Sequence, residues 1–355
     1  MKLSAIDLGF LYTKAIVNHR SLIVKSIVGD GKSLDFKDLD MVSDEDKRKK
    51  DYISSRAHGQ EYFVSDLAID QSDATYHSLK SDRFDSKAIS VLVKTALGIG
   101  LGSGAHTTYV VSGLPASHYA KFKDNIKTLF MGQGQETHSF SVNYERVMGF
   151  DSMTVNTKSV LSAGTVRTVE GRFLPQPHGA AMERLLAKDG TISDKVLAGK
   201  TLAVVDPGFG TSDIYVISAL SPVQKYTFST GVAMNTAYTM ISNKVAEKFN
   251  ISLPLYAVES IVRTGKFIKN GQEHDMTAVI QWAYRATAQQ LADEIHNHWK
   301  NTHEIDHIIV AGGGGAALYQ YLVPEFPAIE LIPNSQWAIV RGYEKWGRRT
   351  WKDAE

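Results

Sequence analysis

A chain of 355 residues with 39 basic and 38 acidic side chains carries a formal charge of +1, so no global field draws it to nucleic acid or to an acidic lipid surface. Apolar residues make up 43% and charged residues 22%, the mixture of a soluble globular protein of about two domains. The absence of cysteine excludes disulfide frameworks, thiol catalysis and thiolate metal sites.

Asp7 interrupts the apolar run that a secretory leader would need, and no stretch of about 18 apolar residues occurs, so the chain reads as soluble and cytoplasmic, without membrane contact. Residues 2–8 (KLSAIDL), Gly9 and the following TKAIVN predict a hairpin of two short strands. Residues 29–60 are polar and charge-rich and predict an exposed excursion. Within it, the Lys47–Lys50 run lies among Asp44, Glu45, Asp46 and Asp51, which is the pattern of a solvated face. GDGKS at 29–33 ends like a Walker loop, but Ser26 stands where that pattern needs glycine.

Residues 85–97 have helical spacing and predict a helix that Gly98, Gly100, Gly102 and Gly104 stop, before a strand over 107–115. The composition changes near 164–174 and a helix is expected over 179–188, so the passage between domains is placed at 168/169. Residues 201–217 (TLAVVDPGFGTSDIYVI) repeat the strand, glycine turn and strand of the N-terminus. The helix over 280–299 is expected to pack against the second domain's sheet. His296, His298, His303 and His307 read as surface or capping residues, because i and i+2 do not share a helix face and a helix-borne zinc pair is spaced i, i+4.

Three segments could carry chemistry. Asp7, Gly9 and Lys14 place a carboxylate, a turn and a cation within eight residues, and backbone amides of such a turn can face phosphate oxygens. Asp206-Pro207-Gly208-Phe209-Gly210-Thr211-Ser212-Asp213 adds turn-permitting positions, hydroxyl donors and two carboxylates suited to hydrated Mg²⁺. Ile308–Val310 is a buried-type strand that runs through Ala311 into Gly312, Gly313, Gly314 and Gly315, where missing side chains would admit a ligand at a helix start. Either hairpin alone is also an ordinary turn; the pair, each opened by an aspartate, points to two phosphate-facing loops.

In chain order these segments resemble the phosphate-1, phosphate-2 and adenosine motifs of the actin, sugar kinase and heat-shock chaperone ATPase superfamily. FLPQPHGAA (173–181) and WAIVRGYEKWG (337–347) resemble its two connecting segments, and the second is similar to the form in bacterial ParM-type plasmid-segregating actins. GQEYFVSDLA (59–68), VSGLP (111–115) and AVESIVRTGKFIKNGQEHD (257–275) add to that likeness. Two departures stand out: Phe10, Leu11 and Tyr12 occupy a stretch that is polar in relatives, and Gln176 replaces a glutamate.

The resemblance implies an α/β fold of two similar actin- or ribonuclease-H-like domains with a nucleotide cleft between them. Domain I would be 1–168, with an exposed subdomain at about 29–85 and the final helix, 337–355, packing back onto it; domain II would be 169–336. It implies ATP or GTP with Mg²⁺, bound by Gly9, Phe10, Leu11, Tyr12, Lys14, Gly208, Phe209, Gly210, Thr211, Ser212, Gly231, Asn235, Lys244, Glu247 and Gly312–Gly315. Asp7, Asp206 and Asp213 would hold the metal through waters, with Gln176, Asp206 and Asp7 as the catalytic set and Gln176 orienting the attacking water. The function implied is a polymerising ATPase whose head-to-tail filaments reach plasmid or similar DNA through an adaptor, with no direct nucleic-acid contact. A small-molecule, sugar-type kinase of the same superfamily and a nucleotide-binding adaptor with negligible hydrolysis are the alternatives.

Overall fold

The computed structural model describes residues 1–34, 50–76, 86–133, 136–149, 153–299 and 302–352. The chain divides into two compact units. The first comprises Met1–Leu114, His118–Ser193 and the chain from Ile339 on, and the second Pro115–Ser117 with Asp194–Ala338.

In the first unit lie β1 (Leu3–Leu8), β2 (Tyr12–Val17), β3 (Arg20–Lys25), β4 (Val28–Asp30), β5 (Tyr52–Ala57), β6 (Gln60–Val64), helix α1 (Asp66–Gln71) and β7 (Thr75–Tyr76). They are followed by α2 (Lys87–Leu101), β8 (Gly104–Leu114), α3 (Ala116–Met131, in this unit from His118), β9 (Thr137–Met148), β10 (Met153–Pro175) and α4 (Gln176–Leu185). Among the described residues the strands form one sheet in the order β10-β8-β1-β2-β3-β9-β5-β6-β4-β7, with β10 also paired to β9. That second pairing curls the sheet, since β10 follows β8 in parallel from Gly164 to Pro175 and β9 antiparallel as far as Arg167.

The curled sheet wraps α2, which packs against β1, β2, β3, β4, β5, β9 and β10. A helix covered on nearly all sides must be apolar nearly all round, and KAISVLVKTALGIGL is. Gly98 and Gly100 therefore lie within the helix and do not stop it. A Cβ at Gly98 would come within 2.6 Å of Val142, and one at Gly100 would strike Val17, so the glycines allow the helix to sit against the sheet. The helix ends at Gly102, whose φ of 77° is left-handed.

The expected helix at 179–188 starts earlier, at Gln176, because Pro175 and Pro177 fit the cap and first turn of a helix. Residues 169–193 stay in the first unit, so the passage lies past Ser193 and not at 168/169. The reason is that β10 remains the parallel partner of β8 up to Pro175, and α4 packs on α10 (Ala338–Thr350). Of the polar excursion at 29–60, β4, β5 and β6 join the sheet; Lys47, Arg48 and Lys49 lie outside the described residues.

In the second unit are α5 (Lys195–Ala198), β11 (Thr201–Pro207), β12 (Ser212–Ser218), β13 (Ser221–Pro222), β14 (Phe228–Thr230), α6 (Met234–Phe249) and α7 (Leu255–Thr264). Then come the hairpin β15 (Lys266–Lys269) and β16 (Gln272–Asp275), α8 (Thr277–His298), β17 (His307–Val310), α9 (Gly312–Leu322) and β18 (Ile329–Leu331). The sheet runs β13-β12-β11-β17-β18, with β14 on β12. β11 is fully buried apart from Thr201 and pairs in parallel with β17, as expected of a strand covered on both faces. α8 packs on two helices, α6 and α9, and its His298 stacks on Phe228 of the strand β14. The small residues Ala283, Thr287, Ala288 and Ala292 on its buried stripe let those neighbours approach.

Candidate functional site

The turn between β1 and β2 is built from its ladder. Asp7 pairs with Lys14 across the hairpin, so both side chains leave on one face. Lys14 Nζ donates to Asp7 Oδ2 at 3.2 Å, and Gln176 Nε2, from the first residue of α4, donates to Asp7 Oδ1 at 2.8 Å. Asp7 is only 2% exposed. A carboxylate only accepts, so the contact fixes the Gln176 amide with its nitrogen toward Asp7 and its oxygen on the other side.

Gly9 is demanded by the turn, since a Cβ there would lie 2.5 Å from the Tyr12 carbonyl oxygen. Phe10 is buried, and Leu11 and Tyr12 are half-buried. Polar support comes instead from beneath, from Ser26 at the end of β3. Its hydroxyl donates to the Gly9 carbonyl oxygen at 2.8 Å and lies 3.0 Å from Thr13 Oγ1, while its amide donates to the Leu11 carbonyl at 2.8 Å. Sequence reasoning met Ser26 only as the residue that spoils a Walker pattern. No local signal placed it under a loop sixteen residues earlier; only the β3 pairing does.

The turn between β11 and β12 repeats this geometry. A Cβ at Gly208 would lie 2.7 Å from the Thr211 carbonyl oxygen, at the same offset as Gly9 and Tyr12, and Asp206 pairs with Asp213 as Asp7 pairs with Lys14. The loop is tied to the start of α6, because the Met234 and Asn235 amides donate to the Gly208 and Phe209 carbonyls at 3.0 and 2.9 Å. Phe209 meets Tyr238 edge-on at 5.1 Å. Ser212 is fully buried and donates to the Val232 carbonyl at 2.6 Å, while Gly210 and Thr211 are half-exposed at the loop's tip.

Asp213 is buried and takes hydrogen bonds from the Ser229 hydroxyl and the Ala116 amide. Burial pushes its carboxyl up to about 6 despite those donors. It acts here as a buried acid that holds the Pro115–Ser117 segment, a link strengthened by the Ser117 amide donating to Ser229 Oγ at 3.0 Å.

α9 begins at the glycines themselves. At Gly312, with φ 77°, a Cβ would strike Asp206 Oδ1; at Gly314 it would strike the Pro207 carbonyl oxygen; at Gly315 it would come within 2.7 Å of Val310. Close packing of this first turn on the ends of β11 and β17 thus accounts for Gly312, Gly314 and Gly315. Gly313 has more room, its nearest neighbour being Gln336 at 3.7 Å. Gly231 is open, with nothing within 4 Å of a Cβ, and Lys244 and Glu247 form an exposed 2.6 Å ion pair further along α6.

The structure therefore brings Asp7, Lys14 and Gln176 together in the first unit, and Asp206, the 208–212 loop, Asn235 and Gly312–Gly315 together in the second. Among the described residues no three His, Cys, Asp or Glu side chains converge as direct metal ligands. Asp7 keeps a second lone pair on each oxygen and so has the donor chemistry for water-mediated Mg²⁺; Asp213 has its donors within the fold. The histidines behave as surface groups: His298 stacks on Phe228 at 3.8 Å, His296 lies 3.5 Å from Glu325 and His307 is 2.7 Å from Glu330.

Two α/β units, each opened by an aspartate-glycine hairpin of the same geometry, define a duplicated fold of the actin and ribonuclease H type. A family description of actin-like proteins, N-terminal domain, matches residues 5–156, and one of an archaeal actin homologue, MreB-like, C-terminal, matches residues 204–323. The chain belongs to the actin-like proteins.

Solved structures agree in fold. A ParM from Clostridium botulinum, solved as a 15-stranded filament, is 21% identical over 98% of this chain and 99% of its own, with a TM-score of 0.73. An archaeal actin homologue in complex with ADP is 16% identical over 98% of this chain and 100% of its own, at a TM-score of 0.74. Bacillus thuringiensis ParM with ATP is 14% identical, with 97% of each chain covered and a TM-score of 0.64. No curated protein matches the sequence.

Proposed function

We propose that the chain is a nucleotide-dependent, polymerising ATPase of the actin-like proteins, with the 7–14 and 206–213 hairpins as its phosphate loops. The observation that carries this reading is the repeated hairpin: in each, a buried aspartate is followed by a glycine that no other residue can replace without striking the carbonyl three residues on. The ADP and ATP of the structural neighbours support nucleotide as the ligand, and the ParM filament supports self-assembly.

In this reading the loop amides face phosphate oxygens, Lys14 neutralises part of their charge, and Asp7 and Asp206 accept from metal-bound waters. Mg²⁺, when bound with the triphosphate, supplies further charge neutralisation. Gln176 holds Asp7 through its nitrogen and orients the attacking water through its oxygen. An amide takes no proton, so it contributes by positioning. Gly231, Asn235, Lys244, Glu247 and Gly313 line the nucleoside end.

Head-to-tail subunits form a non-closing helical assembly. Plasmid or similar DNA is reached in the cytoplasm through an adaptor, in keeping with the near-neutral charge. No helix among the described residues is long and apolar enough to cross a membrane. Light scattering and pelleting after addition of Mg-ATP or Mg-GTP test the reading: a polymer that forms with triphosphate and decays on hydrolysis is expected, and its absence at every concentration sinks the polymerising function. Phosphate transfer to a small molecule without polymer would instead mark a kinase.

A further inference from the structure

We propose that the triad of buried Glu183 with half-buried Arg341 and Lys345 is a positioning device that sets the axial place of α4 and, through it, the contact of Gln176 with Asp7. The proposal rests on the nucleotide reading above. Gln176, Gly179 and Glu183 stand at i, i+3 and i+7 of α4 and so share one stripe, its ends about 10 Å apart along the axis.

α10 crosses that stripe at two glycines. A Cβ at Gly179 would lie 2.6 Å from the Ile339 carbonyl oxygen and 2.8 Å from the Tyr343 ring, and one at Gly342 would strike the Gly179 carbonyl oxygen. At such a crossing the backbones touch at the glycines, flanked by the Tyr343 ring on Gly179 and by Trp346 edge-on to His178 at 5.2 Å, contacts that are apolar and less directional than an ion pair. Glu183 supplies the stop. It is buried, accepts from Arg341 Nη2 on Oε1 and pairs with Lys345 Nζ on Oε2 at 2.9 Å; Lys345 Nζ also donates to the Glu183 main-chain oxygen at 2.7 Å. Arg341 and Lys345 are spaced i, i+4 on α10 and bracket Gly342, so one glutamate holds α10 on both sides of the crossing.

A well-packed apolar group of similar volume would stabilise this space as well as the ions do. What the triad adds is register. At the far end of the stripe the 2.8 Å Gln176–Asp7 bond does not survive an axial slip of about 1 Å. A misplacement of that size costs about 100-fold in rate when the group positions a reactant. Glu183 thus acts through Gln176, two helical turns away.

The test is steady-state Mg-ATP turnover of the full chain as wild type, E183Q, Q176A and the double variant. E183Q is expected to lower kcat by about 10-fold or more with KM within about twofold, and to add nothing in the Q176A background. R341K, which keeps a cation on Glu183, should retain most of the wild-type kcat. An equal loss in both backgrounds, a loss confined to KM, or a fall in thermal midpoint with kcat unchanged overturns the positioning role. Should E183Q fail to fold, K345M, which leaves the Arg341 pair in place, is read in the same two backgrounds with the same criteria. A wild type without nucleotide binding or turnover overturns the nucleotide reading and the triad with it; wild-type turnover with an additive cycle overturns the triad alone.

Discussion

Replacing Gln176 by glutamate converts a donor into an acceptor at a site where Asp7 can only accept. In the wild type the amide nitrogen lies 2.8 Å from Asp7 Oδ1. In Q176E two carboxylates would face each other with charge centres about 4 Å apart, a repulsion of about 4 kcal/mol at an effective dielectric of about 20. Lys14, 3.2 Å from the other Asp7 oxygen, offsets part of it. Taking half as the net leaves about 2 kcal/mol, or about 1.5 pH units by which one carboxyl of the pair keeps its proton longer in the folded chain than in the unfolded one. Between those two values the folded chain binds more protons, so the stability of Q176E relative to wild type falls as pH rises through the window and the loss is complete above it. Urea unfolding at pH 5 and pH 8 should show the gap between variant and wild type widening by about 1 kcal/mol at the higher pH, the rest having been lost below pH 5. A gap equal at both pH values refutes the argument that the amide is there to donate to Asp7.

G342A should lower stability by about 2–3 kcal/mol, because its Cβ strikes the Gly179 carbonyl, whereas G231A should unfold at the wild-type urea midpoint. Equal midpoints for the two variants would contradict the close crossing. S26A removes the hydroxyl under the Gly9 carbonyl and should cost about 1–2 kcal/mol of stability along with weaker Mg-ADP binding by calorimetry, an expectation that unchanged affinity would defeat. Asp213, whose proton is held to about 6 by burial, loses stability as pH rises from its ordinary range through that value, up to about 3 kcal/mol. D213N, with no proton to lose, should therefore gain on wild type between pH 4 and pH 7 in thermal midpoint, and a constant difference would show that burial is not what raises Asp213.

The order of elements was legible because its signals are local. Alternation and β-branched runs mark β1, β2, β11 and β12, and the glycines at 9 and 208 mark turns whose geometry the structure repeats to within a few tenths of an ångström. Gly98 and Gly100 were misread as helix stops because a glycine that ends a helix and one that admits a neighbouring strand look alike in one dimension. The same ambiguity surrounds Gly312–Gly315, where local reasoning saw room for a ligand and the structure shows Asp206, Pro207 and Val310 filling most of it. The passage past Ser193 was invisible because it depends on β10 staying with β8, a pairing between segments about 60 residues apart.

By itself, then, the sequence determined the two aspartate-glycine hairpins and the likeness to the actin-like proteins, since those depend on residue types a few positions apart. Only the tertiary structure decided which side chains complete each loop. Ser26 supports Gly9, Gln176 meets Asp7 across 169 positions, Ser229 holds Asp213, and Glu183 reaches Arg341 and Lys345. Hydrogen bonds and ion pairs of about 3 Å depend on how strands and helices stack, and nothing in the spacing of distant residues along the chain encodes that distance.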